Sequence, residues 1–220
     1  DIGFAMADAA WDAYAGHDKF AGRKQPLRTL MVLYPNRMHA VTIEGTGIET
    51  IKDLEGKRVS LGSPGGATEV WALRVLDTYG LHDKIKRERL SVNESVNALK
   101  DRKIDAFFWG GGVPTASVPN LAATPGGKIP LLEHGAAVGA PNTKDVGNVN
   151  VWNVLVVNAA MPGDVAYAIV KTVFERRADM IAVHKEFATL SLEYQTKGAS
   201  PIPFHPGAVR FLAEKGLKLQ

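Results

Sequence analysis

The sequence predicts an α/β protein built as two lobes. Apolar runs of strand length alternate with stretches whose apolar residues recur at helical spacing, the pattern of a parallel α/β sheet. Two of those runs end directly in glycine-rich loops, as strands do where they turn toward a helix. Strand-like runs near residues 27–43 and 151–157 flank a self-contained α/β block, so the chain crosses between lobes twice, as a hinge would require.

Taken in order, residues 1–6 read as a buried strand entered partway, which predicts a preceding segment. Residues 27–34 form an apolar run bounded by Pro26 and Pro35, a buried strand that residues 41–43 extend after an interruption. Residues 48–54 suggest a short helix ended by Gly56, and residues 58–61 a compact strand. A loop follows at residues 62–68. Ala72, Val75, Leu76 and Tyr79 then fall on one helical stripe, closed by Gly80 in the C′ position. Ser91 and Glu94 have the spacing of a capping box, opening a helix on which Val92, Val96 and Leu99 share a face. Residues 103–109 form a strand running into Gly110, Gly111 and Gly112. Residues 151–157 give a further strand. Ala166, Ile169, Val170 and Val173 mark one helix; Met180, Val183, His184 and Phe187 mark a second, with Asp179 as its cap. Pro206 opens a last helix that ends near Gly216.

Composition narrows the function classes. The 220 residues are 45% hydrophobic and 22% charged, which excludes a disordered tail, a collagen-like rod and a coiled coil. Lysine and arginine number 26 against 23 acidic residues, a thin excess without the clustered basic face that nucleic acid requires. The densest basic run, Lys84 to Arg89, is interrupted by Glu88 and reads as solvated surface. Cysteine is absent, which removes disulfides, thiolate metal sites and cysteine nucleophiles. The longest apolar window, residues 149–161, carries Asn150, Asn153 and Asn158 and is no membrane span. The first residues lack the charged and apolar regions of an export signal.

The turn from Ser63 to Thr68 holds the most information. Gly65 and Gly66 let backbone approach a ligand, the helix behind offers amides and the positive end of its dipole, and Ser63 and Thr68 add hydroxyls. Such a turn suits a carboxylate or phosphate; the plainer reading is a tight strand-to-helix connection. No lysine follows the second glycine, so it is not a P-loop. Gly110 to Gly112 with Val113, Pro114 and Thr115 expose backbone in the same way, or serve only as a spacer. Tyr34, Arg37 and His39 surround the first lobe crossing, Arg37 being the counter-charge for an acidic ligand. All four tryptophans, Trp11, Trp71, Trp109 and Trp152, read as core residues, Trp71 especially, with Trp109 and Trp152 placed so that either could instead wall a pocket. No histidine pair has metal-ligand spacing; His184 reads as packed, and His205 as capping or packing the final helix. No base is tied to Ser63, so catalysis has no positive signal.

Several of these residues together resemble the TAXI family, the TRAP-associated extracytoplasmic immunogenic proteins that serve as solute receptors for TRAP transporters. The resemblance lies in Leu33-Tyr34-Pro35 with His39, in Ile51, Asp53-Leu54 and Gly56-Lys57-Arg58, and in the loop reaching Thr68. It continues through Ala98-Leu99-Lys100, Lys103-Ile104-Asp105-Ala106-Phe107-Phe108, Gly111-Gly112-Val113-Pro114-Thr115, Pro203-Phe204-His205-Pro206-Gly207-Ala208 and Glu214-Lys215-Gly216-Leu217. It implies a type II periplasmic-binding-protein fold, with residues 1–41 and 151–220 as a first lobe lacking N-terminal βα units and residues 42–150 as the second. It also implies a periplasmic receptor that captures a glutamate-like or dicarboxylate acid in an interlobe cleft and delivers it to a TRAP permease. No cofactor, metal or catalysis is implied. The expected ligand contacts are Tyr34, Arg37, His39, Ser63, Gly65, Gly66, Ala67, Thr68, Gly111, Gly112, Val113, Pro114, Thr115 and Trp152. Gly65-Gly66-Ala67-Thr68 departs from the family's common Gly-Ser-Gly-Thr, losing a hydroxyl and gaining a Cβ. The rival expectations are a phosphate-handling transferase and a ligand-sensing domain on the same scaffold.

Overall fold

The structure is a computed structural model in which residues 1–111 and 150–219 are described. The chain divides into two units, one of Asp1–Asn36 with Val151–Gln220, the other of Arg37–Asn150.

The first unit contains β1 (Ile2–Met6), α1 (Ala7–Ala15), the opening of β2 (Leu27–Thr42), β6 (Asn150–Asn158), α4 (Gly163–Glu175), α5 (Arg177–Val183) and α6 (Pro206–Glu214). Its strands lie in the order β1-β6-β2, with β1 antiparallel to β6 from Ile2 opposite Val157 to Met6 opposite Asn153. Both faces are covered. Leu30, Met31, Leu33, Leu155 and Val157 pack against Ala166 and Val170 of α4 and Phe211 and Leu212 of α6. Val32, Val154 and Val156 pack instead with Ala10 of α1 and Ile202.

Two points on β2 are paired outside any strand ladder. Thr29 donates its amide to Pro203 at 2.9 Å and accepts from the His205 amide at 2.8 Å. The Gln195 side chain, fully buried, accepts from the Val32 amide and donates to the Val32 carbonyl, each at 2.8 Å, in place of a neighbouring strand. Helices α4 and α6 approach so closely that a Cβ on Gly207 would collide with the Gly163 carbonyl and lie 2.9 Å from both Ala166 Cβ and Tyr167 N. As the sequence predicts, Pro206 occupies the first turn of α6 and His205 caps it. Its Nδ1 accepts from the Gly207 amide, while Nε2 meets the Met161 carbonyl at 3.0 Å.

The second unit contains the remainder of β2, then β3 (Arg58–Ser60), α2 (Ala67–Thr78), β4 (Lys86–Glu88), α3 (Val92–Lys100) and β5 (Ala106–Gly111). Strand order is β2-β5-β3-β4. β5 pairs antiparallel with β2, from Arg37 opposite Gly111 to Thr42 opposite Ala106, and parallel with β3, which pairs parallel with β4. Trp71 of α2 meets Phe108 edge-on at 5.5 Å. On α3, Val96 and Leu99 pack with Val41, Ile43, Ile104 and Phe107. The Ser91–Glu94 capping box opens α3 as expected, and Leu81 N donates to Leu76 O with Gly80 N to Asp77 O, a Schellman ending for α2. The Arg58 guanidinium grips Asp105 through Nη2 at 2.7 Å and Nε at 3.1 Å, tying β3 to the start of β5. That hydrogen-bonded charge holds the Asp105 carboxyl below the usual range.

The structure corrects several expectations. β2 runs unbroken through Pro35, because the β5 ladder begins only at Arg37 and asks no amide of the proline. Residues 1–6 are a strand, but Ile2 is 51% and Phe4 65% exposed, so the strand is not buried; Trp11, expected in the core, is 41% exposed on α1. Residues 48–54 supply only a 3₁₀ turn, Ile51–Leu54, capped by Thr50 and Asp53. The helix expected over residues 180–187 breaks at His184, whose Nδ1 accepts from Glu186 N and starts a 3₁₀ turn at Lys185; Asp179 lies inside α5 and is not its cap. The alanine-rich α1 and the exposed β4 carry too little apolar periodicity to be read in advance.

Candidate functional site

The turn after β3 is built by close packing of Thr68. Gly62 has φ +95°, and a Cβ there would stand 2.9 Å from Thr68 Cβ, so only glycine both adopts this backbone and admits the threonine. On its other side Thr68 Oγ1 lies 3.7 Å from the Cβ position of Gly110, where the Met38 sulfur comes within 2.6 Å. Thr68, Met38 and Gly110 therefore converge on one face of the β2–β5 pair. Ser63, Pro64 and Gly65 are exposed, Gly66 and Ala67 half-buried, and Thr68 buried.

The amides of this turn are not all free, as the glycine spacing alone suggests. Glu69, 5% exposed, stands three residues beyond the N-cap Gly66, and its Oε2 reaches back to accept the Gly65 amide at 2.6 Å. Its Oε1 lies 2.6 Å from Arg89 Nε. Gly66 donates to the Ser63 carbonyl at 3.0 Å. The chain's own carboxylate thus takes one donor and a turn carbonyl the other. The amides of Ala67, Thr68 and Glu69, in the first turn of α2, have no intrahelical acceptor by the geometry of any α-helix, which makes them the donors to consider for an anion, with the Thr68 hydroxyl beside them.

Arg37 and His39 fall on the other face of the same ladder. Strand alternation sends them opposite to Met38, and their cross-strand partners are Gly111 and Trp109. The Trp109 ring lies across Gly111, 2.9 Å from its Cβ position, and also packs on the α3 cluster. His39 is 1% exposed, and neither ring nitrogen has a hydrogen-bond partner among the described residues. Burial, with the Arg37 charge adding to it, pushes its pKa down to about 4, so the imidazole is neutral at physiological pH.

Tyr34 and Trp152 belong to the first unit, on opposite faces of its sheet. Tyr34 stacks on His184 at 5.6 Å and meets Phe187 edge-on at 5.3 Å, so His184 packs against rings, as expected, and also caps the 3₁₀ turn that follows it. Burial raises the Tyr34 phenol, opposed by a hydrogen bond from Asn153 and reinforced by the Glu186 charge. Trp152 packs on the Val32–Val154–Val156 cluster and tilts against Tyr194 at 5.1 Å. Sequence reasoning missed Asn36, 5% exposed, and its neighbour Asn153, whose amide lies 3.5 Å from the Asn36 oxygen. Asparagines interrupting apolar strands were the available signal. Gly112, Val113, Pro114 and Thr115 lie outside the described residues.

Among the described residues no three His, Asp or Glu side chains gather as a metal-ligand set, and no helix is long and apolar enough to cross a membrane. The fold resembles the alkanesulfonate-binding protein of Xanthomonas axonopodis pv. citri bound to MOPS, at 20% identity and a TM-score of 0.50, over 97% of this chain and 65% of that one. The periplasmic aliphatic sulphonate binding protein of Escherichia coli matches at 17% identity and 0.46, over 99% and 62%. The GluR0 ligand-binding core of Nostoc punctiforme with L-glutamate matches at 18% and 0.47, over 76% and 68%. The chain thus spans less than two thirds of the length of either sulfonate-binding protein, and the likeness to the first of them, at a TM-score of 0.50, is one of fold: a mixed α/β periplasmic-binding-protein fold, in part. The model of the NMT1-like family matches residues 1–137 and 134–216, nearly the whole chain, and the protein belongs to that family.

Proposed function

We propose that the protein is an extracytoplasmic solute receptor that captures a small organic acid, glutamate-like or dicarboxylate, and delivers it to a TRAP-type permease. The family and the fold support a solute-binding role. The motif resemblance of residues 33–68, 98–115 and 203–217 to TAXI receptors is what favours a TRAP partner. The observation that supports the reading is the start of α2, where Gly62 and Gly110 leave room for Thr68 beside the first-turn amides; in this reading its hydroxyl and those amides meet the anion. Glu69 already satisfies Gly65, so in this reading the ligand's acid group meets Ala67 and Thr68 while Gly65 and Gly66 shape the turn. In this reading Arg37, His39 and Gly111, on the other face of the β2–β5 pair, are a second group of candidates in the same unit; Tyr34 and Trp152 lie on opposite faces of the first unit's sheet and form no single group.

Calorimetry of the complete gene product with dicarboxylates, oxo acids and amino acids tests the proposal. One of them binds, and Thr68→Val, which keeps the shape and removes the hydroxyl, weakens it by about tenfold or more, the worth of a hydrogen bond to a charged group. Absence of binding across the panel overturns the receptor reading. Undiminished binding by the variant moves the acid group away from α2.

A further inference from the structure

We propose that a groove in the first unit, between α1 and the segment entering β2, binds a small planar organic anion such as an aromatic carboxylate. The groove has a volume of about 710 Å³ and is lined by Trp11, Tyr14, His17, Lys24, Gln25 and Arg28 among others, none of them acidic. That volume is within the range of small-molecule sites, roughly 300 to 1,000 Å³.

Its floor is aromatic. Trp11 is 41% exposed, with its ring 6.2 Å from Tyr14 and 6.2 Å from His17, the latter edge-on at 79°. An indole left open on the last turns of a helix costs apolar hydration that a stacked planar ring would remove. Two cations line it. The Arg28 guanidinium sits 5.9 Å over the Tyr14 ring and spends one of its donors on the Leu27 carbonyl at 2.8 Å. The Lys24 stem lies against Gly16, with Cγ 3.0 Å from the Cβ position of that glycine, whose φ of +76° ends α1. The wall they stand on is tied to α1 by the Gln25 amide, which donates to the Ala13 carbonyl at 2.8 Å.

Each part selects. A flat ring gains a stacking surface on Trp11, and an acid group gains Lys24 and Arg28, whose guanidinium suits a carboxylate geometrically. A cationic ligand meets two like charges with no carboxylate in the lining to offset them. A small acid without a ring meets the cations but leaves the aromatic floor exposed. The site lies wholly in residues 11–28 and is independent of Thr68 and of the transport reading.

The test is nitrogen–proton correlation NMR on the 220-residue chain, titrated with phenylacetate, acetate and 2-phenylethylamine in turn. Phenylacetate is expected to shift the Trp11 indole N–H and the Gln25 side-chain amide saturably at millimolar concentration, while the other two leave both in place. Lys24→Gln with Arg28→Gln is expected to weaken phenylacetate by about tenfold or more, and Trp11→Ala to abolish the Gln25 shift. Equal shifts with 2-phenylethylamine, or no saturable shift with phenylacetate, overturn the proposal. If a variant loses the dispersed spectrum of the folded chain, the three-ligand comparison on the unaltered protein decides by itself.

Discussion

Replacing His39 by methionine should change how the stability of this protein depends on pH more than it changes stability at neutral pH. His39 is buried, without a ring partner among the described residues, and has a pKa of about 4 against an ordinary 6.5. Above about pH 6.5 the imidazole is neutral in folded and unfolded chains alike, and the shift has no effect on stability. Between about 6.5 and 4 the unfolded chain takes up a proton that the folded chain refuses, so stability falls as the pH falls. Below about 4 the loss is complete. At about 1.4 kcal/mol per pKa unit the whole window is worth about 3 kcal/mol, of which most is lost by pH 4.5. The assay is urea denaturation of both proteins at a series of pH values from 7.5 to 4.5. The other five histidines, His17, His82, His134, His184 and His205, are common to both and cancel in the difference. The stability of His39→Met relative to the parent should rise steadily as the pH is lowered, by roughly 2 to 3 kcal/mol over the series. Parallel curves would refute the reasoning, as would an NMR titration placing the His39 pKa near its ordinary value.

Close approaches and buried polar pairs give further expectations. Gly207→Ala forces a methyl into the Gly163 carbonyl and should cost about 3 kcal/mol or more, read as a large drop in melting temperature by circular dichroism. Gln195→Leu strands the buried amide and carbonyl of Val32 and should cost about 2 to 5 kcal/mol in urea denaturation; a near-neutral result would mean that Val32 finds other partners. Gly62→Ala combines φ +95° with a Cβ pressed against Thr68 and should cost about 1 to 3 kcal/mol while weakening any ligand held at α2. Asp105→Asn removes the carboxylate that Arg58 holds. The contribution of that group is present above the ordinary Asp pKa and lost as pH falls through the lowered folded value, so the variant should melt lower at pH 7 and converge with the parent in acid.

The candidate site was legible in part. The Ser63–Thr68 turn could be found because glycine, hydroxyl and helix onset are adjacent in the chain. That Glu69 would turn back to occupy the Gly65 amide depends on a cap spacing which equally fits an ordinary helix start. Arg37 and His39 could be picked out as polar residues on a strand, but the β2–β5 register puts them on the face opposite Met38 and Thr68. Asn36 and Asn153 are 117 residues apart in sequence, so only the fold makes them neighbours.

Local order alone was enough to specify α2 with its glycine ending, α3 with its Ser91 cap, α6 with Pro206 and His205, and the strands at β3 and β5. Each is set by contacts within a few residues: helical periodicity, a cap, a proline or a short apolar run. Which strands pair, and in which direction, was decided in three dimensions. β2 crosses Pro35 because its partner begins at Arg37; β1 is exposed because it pairs with β6 and leaves Ile2 and Phe4 uncovered; Val32 is completed by a glutamine 163 residues away. Such pairings depend on which distant surfaces bury apolar area and satisfy backbone groups together, and no window of neighbouring residues carries that information.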